Sequence, residues 1–198
     1  MWYCASMEWN EEAAPPPGVE IPRGEFWVFA YGSLMWNPGF PHDAREPALI
    51  AGWHRSFCVH SAGHRGTPEW PGLVVALKPG GECRGLALRV EAAHKASALA
   101  YLWQREMTLA DGYLPRRVQA LLSGGRVVEA LSFVADPRHE AYAGELSPEE
   151  AAARIATARG LRGSNRDYLQ RTLEQLELLG IRDAALASLG RAVAAVTG

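Results

Sequence analysis

The run Phe26-Trp27-Val28-Phe29-Ala30-Tyr31-Gly32-Ser33-Leu34 decides how the rest of the chain must be read. Its first half is bulky and β-branched, long enough for one strand and far short of a membrane span. Apolar residues at nearly every position predict a strand covered on both faces, and so a deep one. The run then meets Gly32-Ser33, where small residues let the backbone turn sharply or approach another group closely. A buried strand opening into such a turn leaves main-chain N–H groups pointing outward, where a carboxylate or a developing oxyanion can bind. On its own, Tyr-Gly-Ser-Leu is equally the end of any strand.

With 198 residues the chain can fill one core, and a single domain over residues 25–198 is the expectation. The net charge of −2 gives no basis for a nucleic-acid partner or an anionic membrane surface. Cys4, Cys58 and Cys83 are too scattered for a metal cluster or a disulfide framework, which points to a reducing, cytoplasmic setting. Residues 1–24, with Ala13-Ala14-Pro15-Pro16-Pro17-Gly18, have no apolar period and read as an irregular extension, docked through Trp2 and Trp9.

Beyond residue 25 the pattern alternates between strands and helices. A strand is predicted over Ile50–Ser61, then a turn-rich loop over His64–Gly72. Leu73–Leu77 and Gly85–Val90 flank Pro79-Gly80-Gly81 and read as a hairpin; Leu114–Leu122 and Arg126–Ala135, around Ser123-Gly124-Gly125, read as another. Five or six strands linked in this way suit a curled sheet or small barrel. Helices are predicted over Ala92–Met107, from the capping box Ser147-Pro148-Glu149-Glu150 to Gly160, over Ser164–Leu179, and over Asp183–Val196. The fold class is α+β, a small mixed barrel with helices packed around it.

Glu106 is the most informative single residue. Leu99, Leu102, Trp103 and Glu106 follow the i, i+3, i+4, i+7 spacing of one helix face. The apolar members carry the carboxylate inward, to the negative end of the helix dipole. Both effects are expected to raise its pKa, as suits a group that accepts and then donates a proton near neutral pH. The plainer alternative is an ion pair with Arg105, Arg116 or Arg117. Ser33 lacks the Gly-x-Ser-x-Gly elbow of a nucleophile. His42, His54, His60, His64, His94 and His139 show no metal-ligand spacing, so no metal is expected. Glu69 sits in the turn-rich loop, and Tyr113 and Tyr168 can offer hydroxyls to a polar ligand. No phosphate-binding glycine loop is present, and no cofactor is expected.

Taken in order, these pieces resemble one family. Val28 to Pro38 (VFAYGSLMWNP) is similar to the opening of the ChaC-type glutathione-specific γ-glutamylcyclotransferases. The likeness continues through Gly52-Trp53-His54-Arg55-Ser56-Phe57, Arg65-Gly66-Thr67-Pro68 with Pro71-Gly72, and Arg105-Glu106-Met107. It extends over Gly112-Tyr113-Leu114-Pro115, Ala135 to His139, Ile155 to Gly160, and Gly163 to Leu169, looking nearest to the bacterial branch. Any single piece is weak; the ordered set is specific. The resemblance implies a small β-barrel, glutathione as small-molecule substrate, no cofactor, and no obligate protein partner. It implies Glu106 as catalytic acid/base and Ala30, Tyr31, Gly32, Ser33, Leu34 and Met35 as lining the substrate site. Tyr113 and Tyr168 fall in motifs near the pocket. Ala30 stands where the family often has Gly, one methyl more. A cyclotransferase for other γ-glutamyl amino acids or amines, or a non-catalytic regulatory binding module, are the alternatives.

Overall fold

A computed structural model describes residues 10–15, 20–107 and 112–197. Trp2, Trp9 and Cys4 lie outside the described residues, as do Pro16, Pro17 and Gly18. Residues 20–25, described before the first strand, form neither helix nor strand.

Strand β1 (Phe26–Ala30) is buried at every position, as a strand covered on both faces must be. It is followed by a single 3-10 turn, Ser33–Met35, and by β2 (Ala44–Ser61) and β3 (Gly72–Val90). A 3-10 turn at Ala92–His94 leads into α1 (Lys95–Glu106), then β4 (Tyr113–Leu122) and β5 (Val127–Ala135). The chain finishes with α2 (Pro148–Thr157), the two-residue strands β6 (Arg159–Gly160) and β7 (Gly163–Ser164), α3 (Asn165–Leu178) and α4 (Ala184–Thr197). Strands β1 to β5 close into a barrel in the order β1-β3-β2-β4-β5. The closing contact is parallel, Trp27 and Val28 of β1 beside Ala130 and Leu131 of β5, while β1–β3, β2–β3 and β4–β5 are antiparallel. The mixed barrel with surrounding helices is the fold expected from the sequence.

Two local expectations are corrected. Pro79-Gly80-Gly81 is no hairpin turn, because β3 runs straight through it and stays paired with β2 from Gly72 to Arg89. Trp53 pairs with Pro79 and Ala51 with Glu82, so β3 holds one extra residue there, a bulge facing Gly52. Gly52, Gly80 and Gly81 all have positive φ, which serves a bulge as well as a turn. Bending both strands together lets one long ribbon wrap the barrel. The second correction concerns α2, which begins at the Ser147 capping box but ends at Thr157 rather than at Gly160. Gly160 serves close packing instead. Its backbone lies against Gly63–Arg65, and a Cβ there would stand 2.5 Å from the Gly63 carbonyl oxygen.

Candidate active site

At one end of the barrel a cleft opens between Tyr31, Gly32, Ser33, Leu34, Val75, Glu106, Tyr113, Phe133 and Tyr168. It encloses about 320 Å³, solvent at its mouth included. Its wall draws on the turn that follows β1 and on β3, β4, β5, α1 and α3. Glu106, the turn and both tyrosines expected from the sequence therefore meet. Ala30 and Met35 are not among the lining residues, and both are fully buried; Ala30 is the last residue of β1, and the Met35 carbonyl accepts from Arg45 Nη2 at 2.6 Å.

The turn presents its amides because a 3-10 helix leaves its first N–H groups without intrahelical acceptors. Met35 N–H returns to the Gly32 carbonyl at 2.8 Å and Asn37 N–H to the Ser33 carbonyl at 2.9 Å, closing the turn behind Ser33 and Leu34. Ahead of it, the Tyr31 carbonyl is fixed by Nε of buried Arg55 at 2.7 Å.

Glu106 is the last residue of α1, and its side chain is 16% exposed. Leu99 and Leu102 of the same face are buried, and Trp103 packs edge-on against Phe133 at 6.1 Å between centroids. The ion-pair alternative is also present: Arg105 Nε lies 3.0 Å from Glu106 Oε1. Inward placement and ion pairing coexist.

Three phenols face the same space. Tyr31 Oη donates to the Phe133 carbonyl at 2.7 Å, and Tyr113 Oη to the Val75 carbonyl at 3.0 Å. Burial, reinforced by nearby negative charge including Glu106, pushes both hydroxyls well above the usual tyrosine range. Burial pushes Tyr168 up to about 12, although a backbone hydrogen bond from Val75 works the other way. All three stay neutral near pH 7. Tyr168 packs against Phe57 and Trp36, with Arg65 5.1 Å from its ring centroid.

Ser33 Oγ accepts from Arg105 Nη2 at 2.9 Å, so its partner is a cation rather than a base. Glu69 is exposed on its loop and is not among the residues that line the cleft. Among the described residues no group of three or more His, Cys, Asp or Glu is placed to hold a metal ion. Sequence reading missed Val75 and Phe133, which carry no chemical signature. It also missed Asn165, which is fully buried and bonds both the N–H and the C=O of Leu73 at 2.6 Å each. A polar residue just inside a helix start, after Ser164 as cap, is the signal that could have exposed it.

A family model described as "ChaC-like protein" matches residues 26–196. The chain is 40% identical over 167 residues to the glutathione-specific γ-glutamylcyclotransferase of Escherichia coli K12, covering 84% of this chain and 72% of that protein. It is 33% identical over 191 residues to the human glutathione-specific γ-glutamylcyclotransferase 1, covering 91% and 86%. Among solved structures, a glutathione-specific γ-glutamylcyclotransferase from yeast superposes with a TM-score of 0.80 at 26% identity, covering 86% of this chain and 96% of that one.

Proposed function

The chain belongs to the ChaC-like protein family, and from that premise we propose that it is a glutathione-specific γ-glutamylcyclotransferase, with Glu106 as its general acid/base. The observation that carries this reading is that one cleft holds both an inward carboxylate and the turn Gly32–Leu34.

The substrate brings its own nucleophile. In glutathione the α-amine of the γ-glutamyl unit attacks the γ-carbonyl, closes a five-membered lactam and expels Cys-Gly, leaving 5-oxoproline. Holding the chain folded for attack supplies much of the rate, with ~7–11 kcal/mol available in favourable cases. Glu106 takes a proton from the α-ammonium so that the amine can attack. It returns that proton to the departing amide nitrogen as the C–N bond breaks. The second proton, lost by the ring nitrogen as the lactam forms, passes by the same carboxylate to the amine of Cys-Gly, which leaves as an ammonium. N–H groups of the turn bind the anionic part of the substrate, its α-carboxylate or the oxyanion of the tetrahedral intermediate. Tyr31 and Tyr113 have committed their hydrogens to carbonyls, so their oxygens are left as acceptors for the α-ammonium. Tyr31, Gly32, Ser33, Leu34, Tyr113 and Tyr168 thus bind substrate, while Ala30 and Met35 support the turn from behind. Cys58 and Cys83 are free and buried, in keeping with a reducing cytoplasm as the place of action.

Incubation with glutathione is expected to release 5-oxoproline and Cys-Gly, read by mass spectrometry. Parallel incubations with γ-glutamylalanine and γ-glutamyl-ε-lysine are expected to release far less. Glu106→Gln keeps the shape of the side chain but cannot carry the proton. It is expected to lower kcat about 10²–10⁴-fold with KM little changed. A Gln variant with near-normal turnover removes Glu106 from the role of base.

A further inference from the structure

Arg105 touches both halves of the cleft. Its Nε contacts Glu106 Oε1 at 3.0 Å, and its Nη2 donates to Ser33 Oγ at 2.9 Å. The third nitrogen is anchored elsewhere: Nη1 donates to the Asn37 carbonyl at 2.7 Å and to Tyr101 Oη at 3.1 Å. The side chain is only 10% exposed. One rigid planar cation therefore spans the end of α1, the turn after β1 and the segment that follows it. A guanidinium can hold such a fork; a lysine ammonium, a point charge on a flexible stem, cannot hold all of it.

Building on the cyclotransferase reading, we propose that Arg105 is a positioning residue. It holds Glu106 as a carboxylate ready to accept a proton, and it turns Ser33 into a hydrogen-bond donor aimed into the cleft. The Ser33 half follows from valence. A hydroxyl has one hydrogen, and an oxygen that accepts from Arg105 is free to spend that hydrogen on the substrate's negative charge. The Glu106 half follows from Coulomb's law in a space of low polarity. Among the described residues, the other titratable groups that line the cleft with Glu106 are Tyr31, Tyr113 on β4 and Tyr168 on α3, all neutral through the range in which a carboxylate titrates. Among the described residues, Arg65, stacked over the Tyr168 ring, is a further cation in the neighbourhood. Arg105 is the cation in direct contact.

The test uses Arg105→Met, Arg105→Lys and Ser33→Ala, with 5-oxoproline release from glutathione followed from pH 5 to 9. Removing the cation makes the carboxylate easier to protonate, so the acid limb of kcat/KM in Arg105→Met is expected to move up by about 1 pH unit or more. Arg105→Lys keeps a charge and guards against loss of the fold. Its acid limb is expected close to that of the unaltered protein, with kcat lowered about tenfold or more because the fork to Ser33 is lost. Ser33→Ala is expected to lower kcat without moving the limb, and to add little on top of Arg105→Lys. The ¹³C carboxyl signal of Glu106, titrated without substrate, is expected to shift its midpoint in the same direction in Arg105→Met. An unmoved midpoint and limb in Arg105→Met, or full kcat in Arg105→Lys, overturns the proposal. Absence of 5-oxoproline from the unaltered protein, whatever the titration gives, overturns the cyclotransferase reading instead.

Discussion

At the scale of single residues, the cleft depends on polar side chains that stand in for backbone. Asn165 is the clearest case, since its amide satisfies the N–H and the C=O of Leu73 together and is wholly buried. An unsatisfied buried group costs ~1–3 kcal/mol, so Asn165→Ala, which orphans two, is expected to lower stability by about 2–5 kcal/mol in urea denaturation. Tyr168, three residues on in α3, lines the cleft, so the Asn165 contacts also fix the register in which that hydroxyl is presented. Glu106 was legible because its stripe of Leu99, Leu102 and Trp103 is local. Asn165 was not, because its partner lies 92 residues away.

At the scale of elements, glycines that look alike in the sequence do different work. Gly52, opposite the β3 bulge, has φ +79°, and nothing lies within 4 Å of where a Cβ would stand. Its cost on substitution is conformational, about 1–2 kcal/mol for Gly52→Ala. Asn tolerates the left-handed region, so Gly52→Asn is expected to recover most of that. Gly160 is constrained by space: a Cβ would meet backbone atoms of Gly63, His64 and Arg65 at 2.5–2.7 Å. Gly160→Ala is expected to cost about 1–3 kcal/mol, and Gly160→Asn no less, because backbone cannot step aside as a side-chain tip can. Denaturation midpoints of the four variants distinguish the two mechanisms. The pair also shows why Pro79-Gly80-Gly81 and Gly160 were misread. Composition marks where the chain can bend or pack closely, while the paired strand or the neighbouring loop decides which of these happens.

At the scale of the whole molecule, burying three phenols beside a carboxylate has a consequence for stability. Tyr31, Tyr113 and Tyr168 titrate higher in the folded chain than the usual value near 10, with Tyr168 at about 12. Above pH 10 the unfolded chain has released protons that the folded chain still holds. Stability is therefore full below that pH and falls as pH rises from about 10 towards 12, by up to about 1.4 kcal/mol per pH unit for each tyrosine. Thermal unfolding followed across pH 8–12 is expected to show a midpoint flat to pH 10 and then falling. The share of tyrosinate absorbance that belongs to these three should rise together with loss of structure rather than before it. The barrel end that creates this burial is braced by Arg55, which is itself buried. It joins the Tyr31 carbonyl, the Arg84 carbonyl and Asp183 at 2.8 Å, tying the turn to the start of α4. Sequence alone determined what is local: the buried strand that ends at Gly32-Ser33, the inward face of α1, the capping box, the hairpin at Ser123-Gly125, and the ordered motifs that mark the family. Only the tertiary structure decided that Arg105 joins Glu106 to Ser33 and that β3 runs unbroken through its glycines. It alone shows that Ala30 and Met35 are fully buried and are not among the residues that line the cleft. The reason is physical: helix and strand periods tell which way a side chain points, but what it meets there is supplied by residues brought from elsewhere in the chain.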